Sequence, residues 1–148
     1  MKHNDFLRTK KTYGDFVLRV RFRLIGGQGN GGIQFRTDPI PNSHEVSGYQ
    51  ADVGQEYWSC LYDESRRKRV LVKPSTASLE GLQQDGWNQH VISARGNHIM
   101  LELNGKRTVD YIEGSPGIKQ SGIMLQVHGG PPMEIQYKDI EIEELPAK

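Results

Sequence analysis

Residues 16–24 read Phe-Val-Leu-Arg-Val-Arg-Phe-Arg-Leu, and no other stretch limits the fold of this chain so sharply. Phe16, Leu18, Val20, Phe22 and Leu24 alternate with Val17, Arg19, Arg21 and Arg23. Successive residues of a strand point to opposite faces, so one face here is apolar and the other nearly all arginine. The segment is a half-buried strand, and the fold must supply an apolar layer to cover it.

Shorter runs of the same kind follow at 32–36, 48–53, 58–62, 70–72, 89–95, His98–Leu103, 106–111, 122–127 and Ile135–Glu144. Seventeen glycines and seven prolines are scattered between and within them, so no helical pattern is sustained. Asn104-Gly105 is a hairpin signal, because a tight type I′ turn needs positive φ at both central residues. Asn97 marks a second turn. About ten short strands with no competing helix predict an all-β, antiparallel two-sheet sandwich.

The length of 148 residues fits one domain spanning 1–148. Nineteen Lys and Arg against eighteen Asp and Glu leave a net charge of +1, which favours neither nucleic acid nor an anionic membrane. A neutral or weakly charged ligand fits better. Cys60 is the only cysteine, so an internal disulfide and a cysteine-based zinc cluster are excluded; its apolar setting predicts a buried, inert thiol. No apolar run reaches the length of a membrane helix, and the first residues do not read as a signal peptide.

Strand parity supplies the functional clue. In 32–36, Ile33 and Phe35 face the core, leaving Gln34 and Arg36 outside. In 48–53, Tyr49, Ala51 and Val53 go inward while Gln50 and Asp52 go outward. In 122–127, Ile123, Leu125 and Val127 go inward, with Met124, Gln126 and the following His128 outward. If these strands adjoin, Arg36, Gln50, Asp52, Gln126 and His128 form one polar surface, flanked by Trp58 and Tyr62 as aromatic neighbours. Amides, a carboxylate, a guanidinium and an aromatic platform suit a sugar. The plainer account is a solvated sheet face, on which Arg36 and Asp52 form a structural ion pair and His128 ends a strand. Asp52 and His128 are also two candidate metal ligands, at no diagnostic spacing.

Other conspicuous segments read as structural. The basic run Arg66-Arg67-Lys68-Arg69 is expected to be a solvated loop, and the glycine-dense stretch 26–32 precedes no helix and so is not a phosphate cradle. Trp87 reads as a core anchor. No nucleophile elbow of the G-x-S-x-G kind is present.

Several segments together resemble the 3-keto-disaccharide hydrolase family: Tyr13-Gly14-Asp15-Phe16, Asn30-Gly31-Gly32-Ile33-Gln34-Phe35-Arg36, Ser47-Gly48-Tyr49-Gln50-Ala51-Asp52, Leu61-Tyr62-Asp63-Glu64, Gly86-Trp87-Asn88, Leu103-Asn104-Gly105 and Gly122-Ile123-Met124-Leu125-Gln126-Val127-His128. The resemblance implies a concanavalin A-like β-jelly roll with a concave sugar-binding face, acting on glycosides oxidised at C3 by hydrolysis or elimination. It also implies a divalent metal in some members, no organic cofactor, and a periplasmic or secreted location. Many relatives carry Glu at the position of Gln50 and Gln at that of Asp52, and are longer at the N-terminus. A missing strand leaves an edge through which a homo-oligomer can form.

Two functions follow. A ketone at C3 acidifies the hydrogen on C2, so a modest base, His128 or Asp52, removes it, with Arg36 or a bound cation stabilising the enolate. The alternative is a non-catalytic carbohydrate-binding module that uses Gln34, Gln50, Gln126, Tyr62 and Trp58 and needs no tuned base. The expected partner is an oligosaccharide or glycoside in either case. A retaining glycosidase is disfavoured, because no pair of carboxylates with that pattern is present.

Overall fold

The alternation in residues 16–24 is realised as a strand whose five apolar side chains are each at most 1% exposed. A computed structural model describes residues 2–115 and 120–146, and it places them in two antiparallel sheets. In chain order the strands are β1 (Asp5–Arg8), β2 (Phe16–Leu24), β3 (Asn30–Pro39), β4 (Val46–Gly54), β5 (Leu61–Glu64), β6 (Arg69–Val72), β7 (Trp87–Arg95), β8 (His98–Leu103), β9 (Lys106–Ile112), β10 (Met124–Val127) and β11 (Ile135–Glu144). One sheet has the order β1-β10-β3-β4-β5-β6 and the other β11-β2-β7-β8-β9. The only helical turns among the described residues are 3₁₀ turns at Ile25–Gly27 and Ala77–Leu79. The expected sandwich is present, and no described helix is long and apolar enough to cross a membrane.

The apolar face of β2 meets Ile33, Phe35, Ala51, Val53 and Leu61 of the opposite sheet, and Ile92, Ala94, Ile99, Leu101 and Val109 complete the core. Phe16 and Phe35 join the layers edge to face, with ring centroids 6.2 Å apart. Each fully buried Leu or Phe contributes about 1.5–3 kcal/mol relative to exposure. On the other face of β2, Arg19, Arg21 and Arg23 reach Glu143, Asp139 and Asp85 at 3.6–3.9 Å. These exposed pairs contribute little to stability. Asn104-Gly105 turns β8 into β9 with φ of 51° and 84°, as the hairpin signal requires.

Several expectations are corrected. β1 was not foreseen; it forms the edge of the larger sheet and leaves Leu7 72% exposed. The strand expected over 58–62 begins only at Leu61, because residues 55–60 form tight turns in which Ser59 adopts φ 56°. Leu125 and Val127 are half-buried, since they lie near that open edge. The basic run is not simply solvated: Arg67 binds Asp63 and Glu113, and Arg66 lies 3.5 Å from Glu113, tying the β5–β6 turn to the end of β9. Trp87 is half-exposed, with the Lys138 ammonium 3.9 Å from its ring centroid.

Candidate functional site

The pairing β10-β3-β4-β5 carries the polar side chains of four segments onto the outer face of the larger sheet. Met124 lies opposite Gln34, Gln34 opposite Gln50, and Gln50 opposite Tyr62. The next outward row is Gln126, Gly32 and Asp52. Directly opposed residues point the same way, so each row is a continuous strip across the sheet.

The first row is wired to the second. Thr37 Oγ1 donates to Gln34 Oε1 at 3.0 Å, Gln34 Nε2 donates to Gln50 Oε1, and Gln50 Nε2 donates both to Asp52 Oδ1 and to the Gly31 carbonyl at 3.1 Å. Gly32 makes this possible, because a Cβ there would sit 2.7 Å from the Gln50 side chain. From the core side, the Tyr137 hydroxyl accepts from Gly32 N and lies 3.1 Å from the Gly32 and Gln126 carbonyls, bracing the ribbon beneath the site.

Beside this relay is a cleft of about 230 Å³, with Gln50 and Asp52 in its floor and Tyr62, Glu64, His128, Asn30, Gln55 and Tyr57 around it. It is smaller than the pockets of roughly 300 Å³ and more that take drug-sized ligands, and of a size for one sugar ring. Asp52 is 4% exposed. Burial pushes its carboxyl well above the usual range, against the opposing pull of the Gln50 amide, and Glu64 raises it further. Burial also raises Glu64, with Glu45 adding to the shift and His128 opposing it. Tyr62 is raised chiefly by burial, which keeps its hydroxyl a donor. His128 is exposed, and its Nδ1 lies 2.7 Å from the Gly129 carbonyl. A carbonyl only accepts, so Nδ1 carries the proton and, in the neutral ring, Nε2 carries the lone pair.

Gln50, Asp52, Tyr62 and His128 thus come together as their parity suggested. Gln34 and Gln126 lie on the same face but are fully buried. Two candidates are elsewhere. Arg36 sits at a bulge with φ 46°, where the β3–β4 register slips between Phe35 and Asp38. Its guanidinium leaves the outer face and binds Asp15 at 2.9 Å and the carbonyls of Gly14 and Gly96, a staple between the two sheets. Trp58 is 7% exposed and stacks on Phe22 inside the sandwich, because the turns before β5 reset the parity. The cleft instead takes Tyr57 from that loop.

Glu64 escaped the sequence reading although its alternation with Leu61 and Asp63 places it beside Tyr62. Tyr57 and Gln55 stand in turns, where no periodicity marks them, and Asn30 stands at a strand end. The donor set does not make a ready cation site: among the described residues no three His, Cys, Asp or Glu side chains converge, and Asp52 is already bound by Gln50.

Solved structures of this shape include sugar-related and unassigned proteins. A Parabacteroides distasonis protein provisionally assigned as a glycosyl hydrolase superposes with a TM-score of 0.71 at 18% identity, covering 94% of this chain and 76% of that one. A Bacillus subtilis protein of unknown function with a galectin-like fold gives 0.73 at 10% identity, covering 100% and 81%. The carbohydrate-binding module CBM66 from Bacillus subtilis gives 0.61 at 13% identity, covering 97% and 84%. At these identities the likeness is one of fold. No curated protein sequence matches the chain. The family model for the 3-keto-alpha-glucoside-1,2-lyase-like domain matches residues 1–143, so the outer-face cleft and its sandwich belong to a member of that family.

Proposed function

We propose that the chain cleaves 3-keto-glycosides by removing the C2 proton and expelling the C1 oxygen. The observation that carries this reading is the pairing, in one cleft, of an imidazole with a free Nε2 and a carboxyl that burial raises well above its usual range. Burial moves Asp52 toward the protonated form that a proton donor needs, and the Nδ1 contact of His128 leaves its Nε2 open to accept a proton.

His128 Nε2 takes the C2 proton, and the electrons of that bond form the enolate of the C3 ketone. As the enolate collapses to a C1=C2 alkene, the C1–O bond breaks and its electron pair leaves with the oxygen, which takes the proton of Asp52. The Tyr62 hydroxyl and the Asn30 amide are the neutral donors at hand for the enolate oxygen, the part first given to Arg36. Water then adds across the alkene, or the unsaturated sugar departs. No step needs a carboxylate nucleophile.

A non-catalytic sugar-binding module is the second reading, favoured by the amide-rich floor. Aglycone release separates the two: a 3-keto-α-glucoside is incubated with the protein beside its unoxidised parent, with and without a chelator. Release from the ketone alone supports the enzyme. Binding without release supports the module.

A further inference from the structure

His128 directly follows β10, and the strand register continues past it. Asp5 of β1 lies opposite Val127, so one step further along both chains Asn4 stands beside His128. Here a side chain takes over from the ladder. Asn4 Oδ1 accepts from Gly129 N at 2.8 Å, while Asn4 Nδ2 donates to both oxygens of Glu45, at 3.3 and 3.2 Å. A backbone N–H only donates and a carboxylate only accepts, so the two partners fix which way the amide is turned. Asn4 is 9% exposed, low for an asparagine just outside an edge strand. On the other side, the His128 N–H donates to the Asn30 carbonyl at 3.0 Å, which anchors the backbone of His128 to β3.

These contacts reach the imidazole through Gly129. The ring of His128 is exposed, so its orientation depends on the Nδ1 bond to the Gly129 carbonyl at 2.7 Å. Gly129 is in turn held at two points. Its N–H goes to Asn4, and its Cα lies against the His3 backbone, where an added Cβ would come within 2.8 Å of the His3 carbonyl carbon. That contact is with backbone and is not relieved by turning a side chain, which is the reason for glycine at this position. An unconstrained neutral histidine holds its proton mainly on Nε2, the atom that must be bare to take a proton from a substrate. The bond made by Nδ1 reverses that preference, and it lasts only while the Gly129 carbonyl stays in place.

We propose that Asn4 is a positioning residue for His128: by fixing Gly129 it holds the imidazole in the tautomer with a bare Nε2. The inference deepens the reading of His128 as the base and rests on it. Glu45 is the outer end of the same chain of contacts. It orients the Asn4 amide, and its charge adds to the effect of burial in raising Glu64 on the cleft wall. Asn4→Ala removes both bonds of the amide. Asn4→Asp keeps an acceptor for Gly129 N but sets two carboxylates against each other, and adding Glu45→Gln restores a donor to the pair.

The first test needs no substrate. At a pH where the ring is neutral, long-range proton–nitrogen NMR should find the His128 proton on Nδ1 in the parent chain and shifted toward Nε2 in Asn4→Ala, with a melting curve to show that the variant is folded. Asn4→Asp should shift it the same way, and Asn4→Asp with Glu45→Gln should bring it back; this pair carries the comparison if Asn4→Ala does not fold. The second test is kinetic, on the 3-keto-α-glucoside. Asn4→Ala should lower kcat by about tenfold and change KM by less than about twofold. In a His128→Ala background the same substitution should cost nothing further, as expected of a residue that acts through the imidazole. A proton on Nε2 in the parent chain, or a folded Asn4 variant that keeps the parent's tautomer, overturns the proposal, as does a loss of kcat that persists in the His128→Ala background. If the tautomer shifts as expected and the parent cleaves no 3-keto-glycoside, Asn4 still positions the ring and the proposed reaction falls.

Discussion

Gln50 gives both protons of its side-chain amide to the protein, one to the Asp52 carboxyl and one to the Gly31 carbonyl. The geometry holds Asp52 where burial would otherwise leave it unmatched. Gln50→Leu removes that partner and should cost about 1–3 kcal/mol of stability, read by urea denaturation. The exchange Gln50→Glu with Asp52→Gln restores one amide and one carboxyl to adjoining positions, and should recover most of the stability that Gln50→Leu loses.

Asp52 also sets a pH dependence. Its folded-state pKa lies above the unfolded value of about 3.9, so its contribution is intact below that value and is lost as pH rises through the folded pKa. Asp52→Asn keeps an acceptor for Gln50 and removes the cost of a buried charge. The variant should be more stable than the parent at pH 8 and no more stable at pH 3.5. As proton donor, Asp52 also owns the alkaline limb of the activity profile, and Asp52→Asn should lower turnover by about 10²-fold.

His90 carries the opposite sign. It is fully buried against Phe22, bonds Ser59 through Nε2 at 3.1 Å, and is held down to about pKa 3 by burial. Its contribution is complete above the unfolded value near 6.5 and is lost as pH falls toward 3, up to about 5 kcal/mol in all. His90→Gln should flatten the acid side of the stability curve in thermal melts between pH 7 and 4.

Arg36 is the clearest case of a residue whose type suggested chemistry and whose place is structural. Arg36→Ala should cost about 3 kcal/mol by stranding Asp15, whereas Arg19→Ala should cost less than about 1 kcal/mol. At a temperature where both variants are folded, KM for the 3-keto-glycoside should differ little between them.

Period-two alternation made most of the sandwich legible, and with it the shared face of Gln34, Gln50, Asp52, Gln126 and His128. It failed wherever the backbone breaks period. The bulge at Arg36 and the turns at 55–60 each shift parity, which carried Arg36 off the face and turned Trp58 into the core. Alternation also says nothing about what folds over a face. Gln126 was expected outward and shares that face in register with Asp52, yet it is fully buried, and the contacts of Asn4 with Glu45 and of His3 with His44, which join residues 41 positions apart, are long-range relations that local pattern does not contain.

If His128 removes the C2 proton of a 3-keto-glycoside, the fate of that hydrogen reports it. The most direct measurement runs the reaction in deuterated water and follows C2 of the sugar by NMR, for the parent chain and for His128→Ala. With the parent chain the C2 hydrogen should be lost, replaced by deuterium wherever water adds across the alkene, and His128→Ala should lose about 10²-fold or more in both exchange and cleavage. Cleavage that keeps the original hydrogen on C2, or equal cleavage of the unoxidised glycoside, would overturn this route.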